Sequence, residues 1–416
     1  MPPTRREAIS AGTAGVAALV AGCTSSFGSG SSDSGPIRFG LTTSLSGSNA
    51  SLGTNYLRGI EIWIDRINEN GGILDRDVEL VHYDDSSSSD NALNQYDRLV
   101  NQDDVDLLIG PFGSPINYSA ANASSKHNTP MVTGAASDPG LFERGLEMYY
   151  STQAPTTMYA RALPRYLTEE VDWSNFDTSA PETAAVMYTE SAFTTDMGNS
   201  AIKNFEEFGI EVVSDQKHPV DQKDYSNLIS RVKQADPDLL AVYGFPESEA
   251  TFADQARSAN LNVKFHYQNY SSNQVITKTL GERANYMLHG SWWDPRYDYP
   301  GVDYLTEEWE SRHPDVLVGM ASAYGPSAVQ AFKAAIENAG TADADAVNEE
   351  LQNLDIEGVM GRIQFHENGY NPHHRENEAV RQWQNGEPAL LAPTEFSDGE
   401  LWAPAPVWNE RDSAPN

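Results

Sequence analysis

The stretch RGIEIWIDRINENGGILDRDVELVHYDD, Arg58 to Asp85, decides the fold class. Leu57, just ahead of it, and then Ile60, Ile64 and Ile67 recur at spacings of three and four, which is one apolar face of a helix. Gly71-Gly72 stops that helix, because glycine takes the left-handed backbone of a helix end without steric cost. Val78 to Tyr83 follows as a strand. A helix followed at once by an apolar strand is half of a βαβ unit.

Working outward, the same alternation continues on both sides. Ile37 to Leu41 (IRFGL) is short, apolar and followed by Ser/Gly turns, as a first buried strand should be. Leu93, Tyr96, Leu99 and Val100 mark a second helix, and Val105 to Ile109 a strand that ends at Gly110. Ile116 to Asn128 is helical in character, and Pro130 to Thr133 is another strand. After about residue 155 the rhythm restarts. Strands are expected at 183–188, 210–215, 239–243 and 263–267, with helices at 195–208, 225–235 and 247–259 between them. The fold class is therefore α/β, with two doubly wound parallel-sheet lobes. Two further helices, 304–312 and 325–337, have no strand rhythm and are expected to pack back on the first lobe. Ligands of open parallel sheets bind beyond the carboxyl ends of the strands. Here those ends carry small, polar and glycine-rich turns, so two facing lobes make a cleft.

Composition narrows the function. The 416 residues allow two or three domains. Asp plus Glu is 60 and Lys plus Arg is 27, a net charge of −33, which argues against a nucleic-acid partner. A hydrophobic fraction of 39% excludes a polytopic membrane protein, and one cysteine excludes an internal disulfide. Strong acidity with 8 Lys against 19 Arg resembles proteins of extreme halophiles, where salt screens self-repulsion. The alternative is an ordinary acidic protein.

The N-terminus reads as an address. Arg5-Arg6 is a twin-arginine pair, followed by an apolar small-residue run from Ala8 to Ala21 and by Val20-Ala21-Gly22-Cys23, which resembles a lipobox. Residues 1–22 are thus expected to be a Tat lipoprotein signal, with Cys23 lipidated and 23–35 a Ser/Gly tether. The folded body would be held outside the membrane. The sequons at Asn49, Asn117, Asn122 and Asn269 are compatible with that location.

Five segments then carry a family resemblance: GLTTSLSGSNASLG (40–53), the stretch Arg58 to Asp85, LLIGPFGS (107–114), TPMVTGAASDPGL (129–141) and GVMGRIQFHENGYN (358–371). In this order and spacing they resemble the type I periplasmic-binding fold, and more narrowly the substrate-binding proteins of branched-chain amino-acid and amide ABC transporters. The resemblance implies two lobes joined by a multi-strand hinge. It divides the chain as 36–156 with 292–378, 157–291 with 379–400, and a tail at 401–416. It implies a binding protein, not an enzyme, without cofactor or metal. It would be a monomer that delivers a small molecule to a permease and ATPase.

The resemblance also implies site residues. Ser114 sits where a hydroxyl holds the ligand's oxygen, and Ser137 is the neighbouring hydroxyl. Ala135 and Ala136 match positions whose small side chains let a ligand reach backbone N–H and C=O groups. Phe193 and Phe245 sit where second-lobe aromatics close over the ligand. Leu52 makes the first-lobe wall aliphatic. One departure stands out: the acid that pairs with an amino acid's ammonium is replaced in the loop Gln268-Asn269-Tyr270, with Asn269 at that place. This favours an amide, urea-like, carboxylate or aromatic ligand over an α-amino acid, unless Glu190, Asp196, Asp138 or Glu247 supplies the charge. Tyr118, Tyr270, Trp292 and Trp293 lie near loop ends or crossovers and offer platforms for flat ligands. For the tryptophan pair the alternative is hinge packing.

Two readings stay open: a binding protein of an importer, and a ligand-sensing receptor lobe of the same fold for an amide, urea-like or aromatic acid ligand. Enzyme signatures are missing, with no GxSxG, Walker A, HExxH or GxGxxG sequence. His373-His374 are adjacent, and adjacent side chains do not converge on one metal.

Overall fold

The computed structural model describes residues 35–270 and 274–411. The expected signal, Cys23 and the expected tether up to Ser34 lie outside the described residues. The first lobe opens with β1 (Ile37–Thr43), α1 (Ala50–Glu69), β2 (Val78–Asp84), α2 (Ser89–Asn101) and β3 (Leu107–Ile109). It continues with α3 (Ser114–His127), β4 (Met131–Thr133), the single turn α4 (Pro139–Phe142) and β5 (Tyr149–Ser151). The strands pair in the order β2-β1-β3-β4-β5, all parallel. β1 lies inside this sheet and is almost wholly buried, as a central parallel strand must be. α1 ends where the sequence places its stop. Gly71 and Gly72 have φ of +94° and +79°, and a side chain on Gly72 would meet the Arg76 carbonyl.

After the short helix α5 (Ala162–Arg165), the second lobe repeats the alternation. Its elements are β6 (Thr183–Thr189), α6 (Ala192–Glu207), β7 (Glu211–His218), α7 (Ser226–Ala235) and β8 (Leu239–Tyr243). Next come α8 (Pro246–Ser258), β9 (Phe265–Gln268), α9 (Gln274–Leu280) and β10 (Met287–Ser291). The chain then returns to the first lobe. α10 (Val302–Arg312), α11 (Met320–Ala339) and α12 (Ala344–Gln352) lead to the hairpin β11 (Asp355–Gly358) and β12 (Gly361–Gln364). α11 lies along α1, and Phe332 on it stacks on Phe39 of β1 at 5.5 Å. The two late helices therefore pack on the first lobe.

The expectation of two purely parallel sheets needs one correction. The last crossing brings β13 (Ala379–Gln384) and β14 (Glu387–Ala392) onto the second sheet, whose order is β14-β13-β10-β9-β8-β6-β7. β13 pairs antiparallel with β10 and with β14, because a tight turn at Asn385-Gly386 joins β13 to β14. The described part of the tail does not fray. Trp402 N–H donates to Gln382, Ala405 N–H to the Lys264 carbonyl, and the buried Trp408 donates to the Leu261 carbonyl at 2.7 Å.

The chain crosses between the lobes three times: after β5, after β10 and before β13. The second crossing carries Asp294, which is fully buried. It accepts from Arg381 of β13 at 2.6 Å and from Arg296 at 2.7 and 2.8 Å. Its carboxyl is lowered to about 2, since the two guanidiniums outweigh the upward push of burial.

Candidate functional site

The site forms at the carboxyl ends of both sheets. After β1, the loop from Ser44 to Asn49 is closed by the aspartate pair that ends β2. Asp85 accepts from the Ser44 hydroxyl at 2.7 Å, and Asp84 from the Leu45 N–H and the Ser46 hydroxyl at 2.9 and 2.7 Å. Those acids brace a loop. Tyr56 on α1 ties two more loops together, donating its hydroxyl to the Gly110 carbonyl at 3.0 Å and accepting from Gly134 N–H at 3.1 Å.

Ser114 is the first residue of α3. Its Oγ accepts from the backbone N–H groups of Ser137 and Asp138 at 3.0 and 3.2 Å, which laces the loop after β3 to the loop after β4. Its own proton remains to be donated. The loop after β4 is pressed on α11 from behind. A side chain on Gly134 would lie 1.8 Å from the Tyr324 carbonyl. That close approach puts Tyr324 beside the site.

From the second lobe, Phe193 enters at the start of α6, Phe245 caps α8, and Tyr270 follows β9. Tyr270 stacks on Phe245 at 6.4 Å with an 18° angle and meets Phe193 at 6.4 Å. From the crossovers come Tyr159 and Trp292, in contact at 5.0 Å. The Tyr159 hydroxyl and the Nδ1 of His374 share a hydrogen bond of 2.6 Å. Burial lowers that histidine to about 3, so it stays neutral.

These side chains enclose a slot of about 80 Å³ between the lobes. Eight of the expected residues line it: Leu52, Ser114, Ala135, Ser137, Phe193, Phe245, Tyr270 and Trp292. Ala136, Tyr118, Asn269 and Trp293 do not. Ala136 is buried behind the loop, its carbonyl taken by the Ser151 hydroxyl at 2.6 Å. Tyr118 turns its hydroxyl to Asp138 at 2.9 Å. Asn269 sends its N–H to the Val242 carbonyl and is fully buried. Ala135 lines the slot, but its backbone is already bonded, N–H to the Thr133 hydroxyl and C=O from Gly113 N–H. Leu52 and Tyr270 also line a wider mouth of about 680 Å³, which opens toward Arg296 and the loop 313–319.

None of the four alternative acids lines the slot. Glu190 and Glu247 are exposed, and Asp138 receives Tyr118 and Gly140 N–H. The acid nearest the second-lobe aromatics is one the sequence did not single out. Glu249 is buried and accepts from Gly244 N–H at 2.9 Å through Oε1 and from Tyr270 N–H at 2.8 Å through Oε2. Burial pushes its carboxyl up to about 8 despite those donors.

Sequence reasoning also missed Asn49, Phe112, Gln153, Tyr159 and Tyr324 in the slot. Trp292 and Trp293 divide the two readings offered for them. Trp292 lines the slot, whereas Trp293 packs in the hinge and donates to the Val359 carbonyl at 2.8 Å. His374 faces Tyr159, while His373 turns to Gln364 at 3.1 Å. Among the described residues, no helix is long and apolar enough to cross a membrane.

Comparison with known proteins agrees with this geometry. Residues 36–387 match the family described as periplasmic binding protein. The leucine-, isoleucine-, valine-, threonine- and alanine-binding protein of Pseudomonas aeruginosa is 25% identical over 336 residues, 80% of this chain and 86% of that protein. A leucine binding protein from Thermotoga maritima superposes with a TM-score of 0.74 at 20% identity, covering 86% of this chain and 99% of that one. The branched-chain amino acid transporter substrate binding protein from Streptococcus pneumoniae, solved with isoleucine, gives 0.73 at 19%, covering 86% and 100%. Two α/β lobes, three crossings and a slot between the strand ends thus meet a match that spans most of the chain: this is a binding protein, not an enzyme, and it belongs to the periplasmic binding protein family.

Proposed function

We propose that the chain is the extracytoplasmic solute-binding component of an ABC importer. It captures a small carboxylate or amide of about amino-acid size between its lobes and hands it to a permease and ATPase. It works as a monomer on a lipid at Cys23, after export through the twin-arginine signal. The observation that carries this reading is the slot between the lobes, lined from both sheets. The named specificity of the Pseudomonas relative supports a solute of this size. Closure supplies the signal: a ligand that touches both lobes favours the closed state by its differential affinity, and the permease reads that state.

The test is a thermal-shift screen in molar salt. Its panel holds branched-chain amino acids, short amides, urea, small carboxylates and aromatic acids, with small-angle scattering on any hit. A ligand should raise the melting temperature and contract the particle. Silence across the panel, or binding without contraction, rejects the reading. Ser137→Ala should weaken a hit by about 1–3 kcal/mol by removing a buried donor. Ser114→Ala should do the same and also lower the unliganded melting temperature, because two backbone N–H groups lose their acceptor. Unchanged affinity in both variants counts against this pocket.

A further inference from the structure

Resting on the slot as the solute site, we infer that it selects ring-bearing carboxylates that carry no ammonium group. The walls are aromatic on both sides, with Phe193, Phe245 and Tyr270 from the second lobe facing Tyr159 and Trp292 from the crossovers. Flat rings gain most from such surfaces, through offset and edge contacts beyond plain burial.

The polar groups point the same way. Among the described residues, no carboxylate lines the slot. Glu249, the buried acid behind Phe245 and Tyr270, has each oxygen committed to a backbone N–H. An ammonium brought into this slot would lose its water and find no carboxylate among the lining residues, which is the costly case of charge burial. Donors, in contrast, stand ready. Trp292 Nε1 is buried with no protein acceptor, the Ser114 hydroxyl keeps its proton, and Ser137 presents a second hydroxyl. Behind the lining, Thr156 holds Ser137 in place, its N–H donating to the Ser137 carbonyl at 2.7 Å. A slot that offers these donors and no carboxylate in its lining fits carboxylate oxygens better than an ammonium head.

Calorimetry on the chain in molar NaCl tests this with two matched pairs that differ only by the ammonium: 3-phenylpropionate against phenylalanine, and 4-methylpentanoate against leucine. Each acid should bind at least tenfold more tightly than its amino acid, and the ring acid more tightly than the branched one. Trp292→Phe, which keeps a ring and removes the N–H, should weaken 3-phenylpropionate about tenfold. If that variant does not fold, Phe245→Leu should reduce the advantage of the ring acid over 4-methylpentanoate. Equal or tighter binding of phenylalanine or leucine overturns the inference while leaving the solute-binding reading intact. Loss of that binding in Asp138→Asn would then identify the missing counter-charge. Silence from both acids also overturns it, and the broader panel decides whether the solute-binding reading survives.

Discussion

Glu249 joins stability and site at one residue. Its carboxyl holds the backbone of Gly244 and Tyr270, and so sets where Phe245 and Tyr270 stand. Its proton is bound more tightly in the folded chain than in the unfolded one, where its ordinary value is 4.5. The sign follows: its stabilising contribution is fully present below pH 4.5 and is lost as pH rises to about 8. Over that window the melting temperature should fall with pH, and Glu249→Gln should fall less steeply. Scanning calorimetry of both proteins from pH 5 to 8 reads the difference in slope. Parallel curves would mean that Glu249 does not titrate there. The residue eluded the sequence reading because it lies inside α8, where an acid ordinarily faces water, and only the fold turns it inward.

At the scale of elements, the contact between α11 and the loop after β4 is the tightest test of how the site is built. Gly134→Ala forces a methyl into the Tyr324 carbonyl, backbone against backbone, so no side chain can yield. Overpacking of this kind costs about 1–3 kcal/mol. The variant should melt lower and bind any solute more weakly, since Tyr324 and Ala135 both border the slot. Chemical denaturation with a ligand titration checks both effects, and an unchanged pair would show that the contact is slack.

The elements themselves were largely legible, because alternating apolar strands and amphipathic helices leave periods that a sequence displays. Leu57, Ile60, Ile64 and Ile67 are buried on α1 as their spacing requires. The antiparallel β13–β14 pair was not read, although Asn385-Gly386, with φ of +53° and +84°, is the usual turn signal for such a hairpin. Tyr159 and Trp292 left no periodic trace, since crossovers have none. Tyr324 was hidden for another reason: α11 is buried on several faces, so spacing could not tell which face meets the slot. The family pattern pointed to Ser114, Ser137, Phe193 and Phe245 through the loops that carry them.

Over the whole molecule, charge dominates. A net −33 leaves the folded chain repelling itself, and compactness suffers most when screening is weak. The screening length shrinks from about 10 Å at 0.1 M salt to about 3 Å at 1 M. The melting temperature should therefore climb between those concentrations of NaCl, and by less with an equal osmolarity of sucrose. A flat salt response would remove the halophile reading.

The triple crossing has a consequence for wholeness. Neither lobe is one continuous length of chain, so no single cut can separate them. A protease nick in the partly exposed 172–180 region would give two bands on a denaturing gel, yet one particle in solution. All three strands of the hinge would stay intact, because Trp173 there already packs on Phe265 of the second lobe, and each lobe would face its partner at the high local concentration that a short tether maintains.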